Sequence, residues 1–177
     1  MPDSQKETPL VNLELGVIGN GSVAALIDKQ ARIVWCCLPR FDADASFCAL
    51  LSPTIEGGDW AIELEDFERA EQFYLANTAV LVTRLFDHHG GAVEITDFAP
   101  RYRLNGRFYH PEMLTRRVAP ISGSPRVRIR MRPLCDYGAR IAQTTSGSNH
   151  IRYLLSDVVQ RLTSDVAPPL IERGLPF

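Results

Sequence analysis

Two apolar runs of about six residues, Ser22 to Ile27 and Arg32 to Cys37, flank the polar tetrad Asp28-Lys29-Gln30-Ala31. That length suits strands better than helices, and the tetrad between them predicts an antiparallel hairpin. Pro39 ends the second strand, because it brings no amide donor to the ladder and biases Leu38 toward an extended conformation. Arg40, Phe41 and Asp42 therefore sit at a strand exit, where side chains leave the in/out alternation and are free to aim at a ligand or a neighbouring domain. Asp44 is a candidate cap for a short helix from Ala45 to Leu51 that turns Phe47 and Leu50 or Leu51 back onto the sheet.

The short period continues. Trp60, Ile62 and Leu64 alternate with Ala61, Glu63 and Glu65, which predicts a half-buried strand with one wet face. Val80 to Phe86 is apolar on both faces apart from Thr83 and Arg84, the pattern of a central strand between layers. Asp87-His88-His89-Gly90-Gly91 supplies the turn into a strand from Ala92 to Phe98. Leu114 to Val118 predicts a further strand, with Pro120 and Ser122-Gly123-Ser124-Pro125 marking the turn after it. Val127, Ile129 and Met131 then alternate with Arg126, Arg128, Arg130 and Arg132, so one face is core and the other a comb of guanidinium groups. Between Glu65 and Tyr74 the spacing of Phe67, Ala70 and Phe73 instead allows a helical turn. Short strands broken by turns at roughly 8–12 residues predict an all-β, antiparallel β-sandwich with at most short helices.

Composition limits the class of partner. A chain of 177 residues with 45% hydrophobic and 23% charged residues is an ordinary single globular domain. Its net charge of −2 argues against nucleic acid, whose phosphates draw on a surplus of Lys and Arg. No apolar run approaches the roughly 18 residues of a membrane span. The polar first dozen residues lack the apolar stretch of a signal peptide, so residues 1–12 are read as a polar tail and the protein as cytoplasmic.

The order Gly19-Asn20-Gly21, Ala24-Ala25-Leu26-Ile27-Asp28, Ile33-Val34-Trp35-Cys36-Cys37-Leu38-Pro39-Arg40-Phe41-Asp42 and Phe47-Cys48-Ala49-Leu50-Leu51 resembles a known family. It is similar to the N-terminal region of bacterial and archaeal glycoside hydrolases of family 15, the glucoamylase and trehalase-like group. Gly57-Gly58 before Trp60, Tyr74 to Thr78, Val80 to Arg84, Val93 to Phe98 and Asp136-Tyr137-Gly138 follow in the same order, and the resemblance favours a loop over Glu65 to Tyr74 in place of the helical turn. The resemblance implies a supersandwich-like β-domain over residues 13–177 that precedes a separate helical barrel carrying the two catalytic glutamates. The barrel is absent from this chain, and the resemblance implies that Pro168 to Phe177 is a cut made within a sheet. An incomplete sheet has an unpaired edge, so a homo-oligomer is expected. Ala31 stands where the family usually places glycine, and alanine tolerates positive φ poorly, which leaves the turn type open.

The candidate site follows from the strand exit and the resemblance together. In the parent enzyme the domain packs on the catalytic barrel and extends Pro39 to Asp42 toward an α-glucoside or oligosaccharide. Arg40 and Asp42 offer forked hydrogen bonds to hydroxyls or barrel side chains, and Trp35 or Phe41 an apolar platform. The alternative is that Arg40 and Asp42 pair with each other and fix the strand exit. A second reading is a free-standing carbohydrate-binding or protein-interaction module.

Other chemistry-bearing residues read as structural. No catalytic residue, metal ligand or cofactor is assigned. Cys36, Cys37, Cys48 and Cys135 lack paired Cys-x-x-Cys spacing and read as small buried thiols. His88 and His89 read as a solvated turn, and Gly19-Asn20-Gly21 precedes a strand rather than the helix of a dinucleotide site. Asp97 is expected near a strand end in a capping or turn role. The arginine comb reads first as a solvated face and second as an interface with acidic groups on another domain.

Overall fold

The computed structural model describes residues 12–51 and 56–177; apart from Asn12, the predicted polar tail lies outside the described residues. Six strands form the first sheet: β1 (Gly16–Gly19), β2 (Ala24–Ile27), β3 (Ile33–Cys37), β4 (Ala45–Phe47), β5 (Asp59–Leu64) and β12 (Val127–Arg132). Their order is β1-β2-β3-β5-β12, with β4 added onto β3. A second, four-stranded sheet joins β6 (Phe67–Tyr74), β7 (Leu81–Asp87), β8 (Ala92–Phe98) and β11 (Thr115–Ser122) in the order β11-β8-β7-β6. A short ribbon, β9 (Tyr102–Leu104) with β10 (Arg107–Tyr109), pairs with neither sheet. Beyond β12 the chain forms the pair β13 (Leu134–Cys135) and β14 (Arg140–Ile141), then β15 (Gln143–Ser146), β16 (His150–Leu154) and β17 (Val159–Thr163) as a three-stranded sheet. It closes on one helical turn and a half, α1 (Pro168–Glu172). All pairings are antiparallel, and the fold is the expected all-β sandwich.

Alternation places the core where the sequence put it. Ile62 and Leu64 of β5 and Val127 and Ile129 of β12 meet Leu85 of β7 and Val93 and Ile95 of β8, so the apolar faces of both sheets are buried against each other. Ile151 and Tyr153 of β16, Leu162 of β17 and Ile171 of α1 extend that cluster. A second cluster gathers Ile18, Ile27, Ile33, Phe47 and Leu81 at the β1–β3 end. There the hydroxyl of Tyr74, at the end of β6, accepts from the Val17 amide at 2.7 Å and donates to the Val17 carbonyl at 2.9 Å, tying the edges of the two sheets together. β7 lies between β6 and β8, as its two-sided apolar pattern predicts. Among the described residues no helix is long and apolar enough to cross a membrane.

Several local expectations are corrected. Ala45 to Leu51 is a fully buried three-residue strand followed by a single 3-10 turn, Ala49–Leu51. The amides of Cys48 and Ala49 both donate to the Gly58 carbonyl, a bond from outside the segment that outweighs its weak helical preference. Phe67–Tyr74 is an edge strand, neither the helical turn that its spacing allows nor the loop that the resemblance favours. A bulge between Phe67 and Arg69 shifts the parity, so Phe67 and Ala70 both pack on the core although they are three residues apart. The apolar period of three comes from that bulge. β11 runs through Pro120 to Ser122, again with a bulge, and Pro120 is tolerated because β11 is an edge strand. Pro168–Glu172 is helical, and Phe177 exchanges two backbone hydrogen bonds with Val127 of β12.

The arginine comb is matched within its own sheet. Antiparallel pairing sets β5 beside β12, so Arg128 meets Glu65 at 3.2 Å and Arg130 meets both Asp59 and Glu63 at 2.8 Å. Arg126 lies 3.6 Å from Glu65 and Arg132 lies 3.4 Å from Glu56. The wet face predicted for the strand at residue 60 and the comb are two halves of one cross-strand ladder.

Candidate functional site

β3 delivers the chain to the Leu38-Pro39 bond, which is cis, and the backbone then turns so that the Ala43 amide donates to the Arg40 carbonyl at 3.1 Å. Within this turn Arg40 grips Asp42 with a fork: Nε donates to Oδ1 at 2.9 Å and one Nη to Oδ2 at 3.0 Å. Both side chains remain about three-quarters exposed, at 74% and 71%. The Arg40 hydrogen bonds hold the Asp42 carboxyl below the usual carboxylate range. Phe41, between them, is 58% exposed. Together with Pro39, these residues line an open cleft of about 410 Å³ whose other wall is Ser22 and Glu112.

Four of the five predicted residues, Pro39, Arg40, Phe41 and Asp42, thus meet at one cleft. Trp35 does not join them: it is half-buried against the small cluster of Cys37, Ala45, Cys48 and Leu134. Its parity on β3 points it into packing before the chain leaves the strand.

The opposite wall was not legible in the sequence. Buried Asn20, in the turn after β1, donates from Nδ2 to the carbonyls of Pro100 and Pro111 at 2.9 and 2.8 Å. It thereby closes the base of the segment that carries β9 and β10. Ser22 Oγ bonds Nδ1 of His110 across the same base, which brings Glu112 to the cleft. Among the described residues His110 is paired with Ser22 and with no carboxylate, so no orienting acid of a nucleophilic triad is seen there.

Asp44 does different work from the helix cap expected of it. Its carboxylate accepts from the amides of Asp136 and, at 2.9 Å, Tyr137. Those two residues hold φ of 53° and 52° and are followed by Gly138 at 95°, an uninterrupted left-handed turn. Two consecutive non-glycine residues in that region are uncommon, and here Asp44 satisfies the amides that the turn exposes. Asp136 in turn pairs with Arg140 and accepts from Ser156 Oγ at 3.0 Å, bonds that pull its carboxyl below the usual range. The result presents Tyr137 with 59% of its surface open. The Asp-Tyr-Gly motif was visible in sequence, but its tie to the strand exit depends on a contact 93 residues away.

The residues read as structural stay outside the site. All four cysteines are buried free thiols, and burial pushes Cys36 up to about 12. His89 is exposed in its turn beside Asp66. Asp97 corrects the expectation of a capping role: it is completely buried and forks to Arg116 at 2.8 and 3.0 Å. Arg116 then donates to the carbonyls of Trp60 and Ala31, stitching one sheet to the other. Among the described residues no three His, Cys, Asp or Glu side chains gather as a metal site would require.

Comparison with known proteins gives this site its context. The family model described as "Trehalase-like, N-terminal" matches residues 5–164. The trehalase of Thermoplasma volcanium is 33% identical over 125 residues, covering 70% of this chain and 20% of that protein. Trehalase 1 of Sulfolobus acidocaldarius is 38% identical over 87 residues, covering 49% of this chain and 15% of the relative. No solved structure matches. The chain spans a fifth or less of the length of these relatives. This protein belongs to the trehalase-like N-terminal domain family.

Proposed function

We propose that this chain is the non-catalytic N-terminal β-domain of a family 15, trehalase-like glycoside hydrolase acting on α-glucosidic bonds. It packs on a catalytic barrel and lends the Pro39–Asp42 turn to that barrel's sugar site. The observation that carries this reading is the exposed Arg40–Asp42 fork at the mouth of a cleft. An exposed pair is screened by solvent, so the fold gains little from holding it. The ion pair that does hold the fold, Asp97–Arg116, is buried. A planar fork with free lone pairs beside an open phenyl ring is suited to sugar hydroxyls or to polar groups of a partner wall. It is not suited to cleaving the bond. An inverting hydrolase needs one carboxylic acid with a raised pKa to protonate the leaving oxygen, and Arg40 shifts Asp42 the other way.

The test is made in the polypeptide that carries the catalytic portion. Arg40→Ala is expected to lower kcat/KM for trehalose about tenfold, equivalent to about 1.4 kcal/mol, with the unfolding midpoint nearly unmoved. Unchanged turnover and unchanged stability together would sink the role of the turn. A second reading, an independent carbohydrate-binding module, draws on the same open Phe41 and is separated by calorimetry. Binding of maltose, trehalose or longer glucans by the 177-residue chain alone would favour it.

A further inference from the structure

The ribbon of β9 and β10 serves neither sheet. Its register pairs Tyr102 with Tyr109, Arg103 with Phe108 and Leu104 with Arg107 around an Asn105-Gly106 tip with φ of 49° and 76°. That is the left-handed pair a tight two-residue hairpin demands. All six strand residues are exposed. One face carries the stacked Tyr102–Tyr109 pair, 5.6 Å between centroids, with Leu104; the other carries Phe108, 64% exposed. A two-stranded hairpin standing alone in water is marginally stable, so one that is apolar on both faces calls for cover on both.

Charge identifies what kind of cover. Arg101, Arg103 and Arg107 form none of the ion pairs among the described residues, whereas each arginine of the β12 comb meets a carboxylate. Arg101 and Arg103 lie over the Phe108 ring at 5.8 Å instead. The segment 101–110 contains no acidic residue, in a chain of net charge −2. Its base is nevertheless rigidly held, by buried Asn20 on both flanking carbonyls and by Ser22 on His110. A fixed root with an uncovered basic and aromatic tip is preorganised for docking.

We propose that this arm, Pro100 to Pro111, seats in an acid-rimmed cleft of the catalytic portion and is the grip by which that portion and this domain are held in register. The inference rests on the function proposed above and names the surface through which it operates. A flat sugar would cover one face of the ribbon and leave the three arginines unmatched; a protein cleft covers both faces and supplies carboxylates. Because the arm shares its root with the Ser22–Glu112 wall, seating it also sets the Pro39–Asp42 cleft against the partner.

Hydroxyl-radical footprinting tests this directly, since Tyr102, Phe108 and Tyr109 are themselves the probes. Their oxidation is expected to be fast in the 177-residue chain and at least about fivefold slower in the polypeptide that includes the catalytic portion. Arg103→Glu combined with Arg107→Glu is expected to restore the fast rate in the longer polypeptide. Equal rates in both proteins overturn the inference, as does protection that survives the charge reversal. Protection of the chain alone that grows with its own concentration, or on adding maltoheptaose, overturns it in favour of a second copy or a glucan. Trehalose turnover is followed in parallel. Turnover with an open arm refutes the arm and leaves the proposed function standing; a protected arm without turnover supports the arm and refutes the substrate.

Discussion

Arg116 and Ala31 show how much a single buried residue settles here. The Asp97–Arg116 pair is 0% and 2% exposed, and the guanidinium also serves the carbonyls of Trp60 and Ala31. Removing one charge leaves the other buried and uncompensated, a loss of about 3–5 kcal/mol. Asp97→Asn is therefore expected to lower the unfolding free energy by an amount in that range, read from the shift of the denaturant midpoint at constant m-value. A change under about 1 kcal/mol would show that the pair is not desolvated. Ala31 sits at φ 60° with its methyl group fully buried. Its turn is held by Asp28, whose Oδ1 accepts from the amides of Gln30 and Arg32 at 2.9 Å. Glycine there relieves about 1 kcal/mol of left-handed strain and gives up about 0.8 kcal/mol of methyl burial. Ala31→Gly should accordingly be near neutral by thermal melting. The turn left open in sequence is thus a positive-φ turn, and alanine is kept there by the core beneath it.

At the scale of elements, pairing partners decide what a polar face does. The alternation of β5 and β12 was plain in sequence, yet neither strand alone shows that Glu63, Glu65 and Asp59 stand opposite the arginines. Asp59 is the sensitive member, 3% exposed with one carboxylate oxygen that meets no partner among the described residues. An Nη of Arg130 donates to its other oxygen at 2.8 Å. Arg130→Ala should cost about 3 kcal/mol or more, while Arg132→Ala, whose partner Glu56 is exposed, should cost under about 1 kcal/mol. Urea melts of the two variants would check the contrast, and equal losses would contradict the ladder. The same dependence on neighbours explains β4 and β6. Each is a short segment whose local spacing fits a helix and whose amides are claimed by a strand or loop from elsewhere.

For the whole molecule, the exposed turns should hold their form until the pH falls below the ordinary carboxylate range. Asp42 and Asp136 are both held below the ordinary aspartate value near 3.9 by Arg40 and Arg140. A depressed folded-state pKa means the stabilisation is complete above the unfolded value and is lost as pH falls through the folded one. The amide shifts of Ala43 and Ala139, which close the two turns, should stay flat from about pH 7 to about pH 5 and titrate only below about pH 4. A transition above about pH 5 would mean that the forks do not form in solution. The sequence by itself determined the class of fold, the strands β2, β3, β5, β7, β8, β11 and β12 and the cluster Pro39 to Asp42, because a period of two and a proline are written locally. Only the tertiary structure decided that Trp35 faces packing, that Asp97 is a buried lock, that Asp44 holds Tyr137, and that Asn20 roots an uncovered arm beside the cleft. Each of those depends on contacts between residues far apart in sequence, and such contacts exist only once the two sheets have closed on each other.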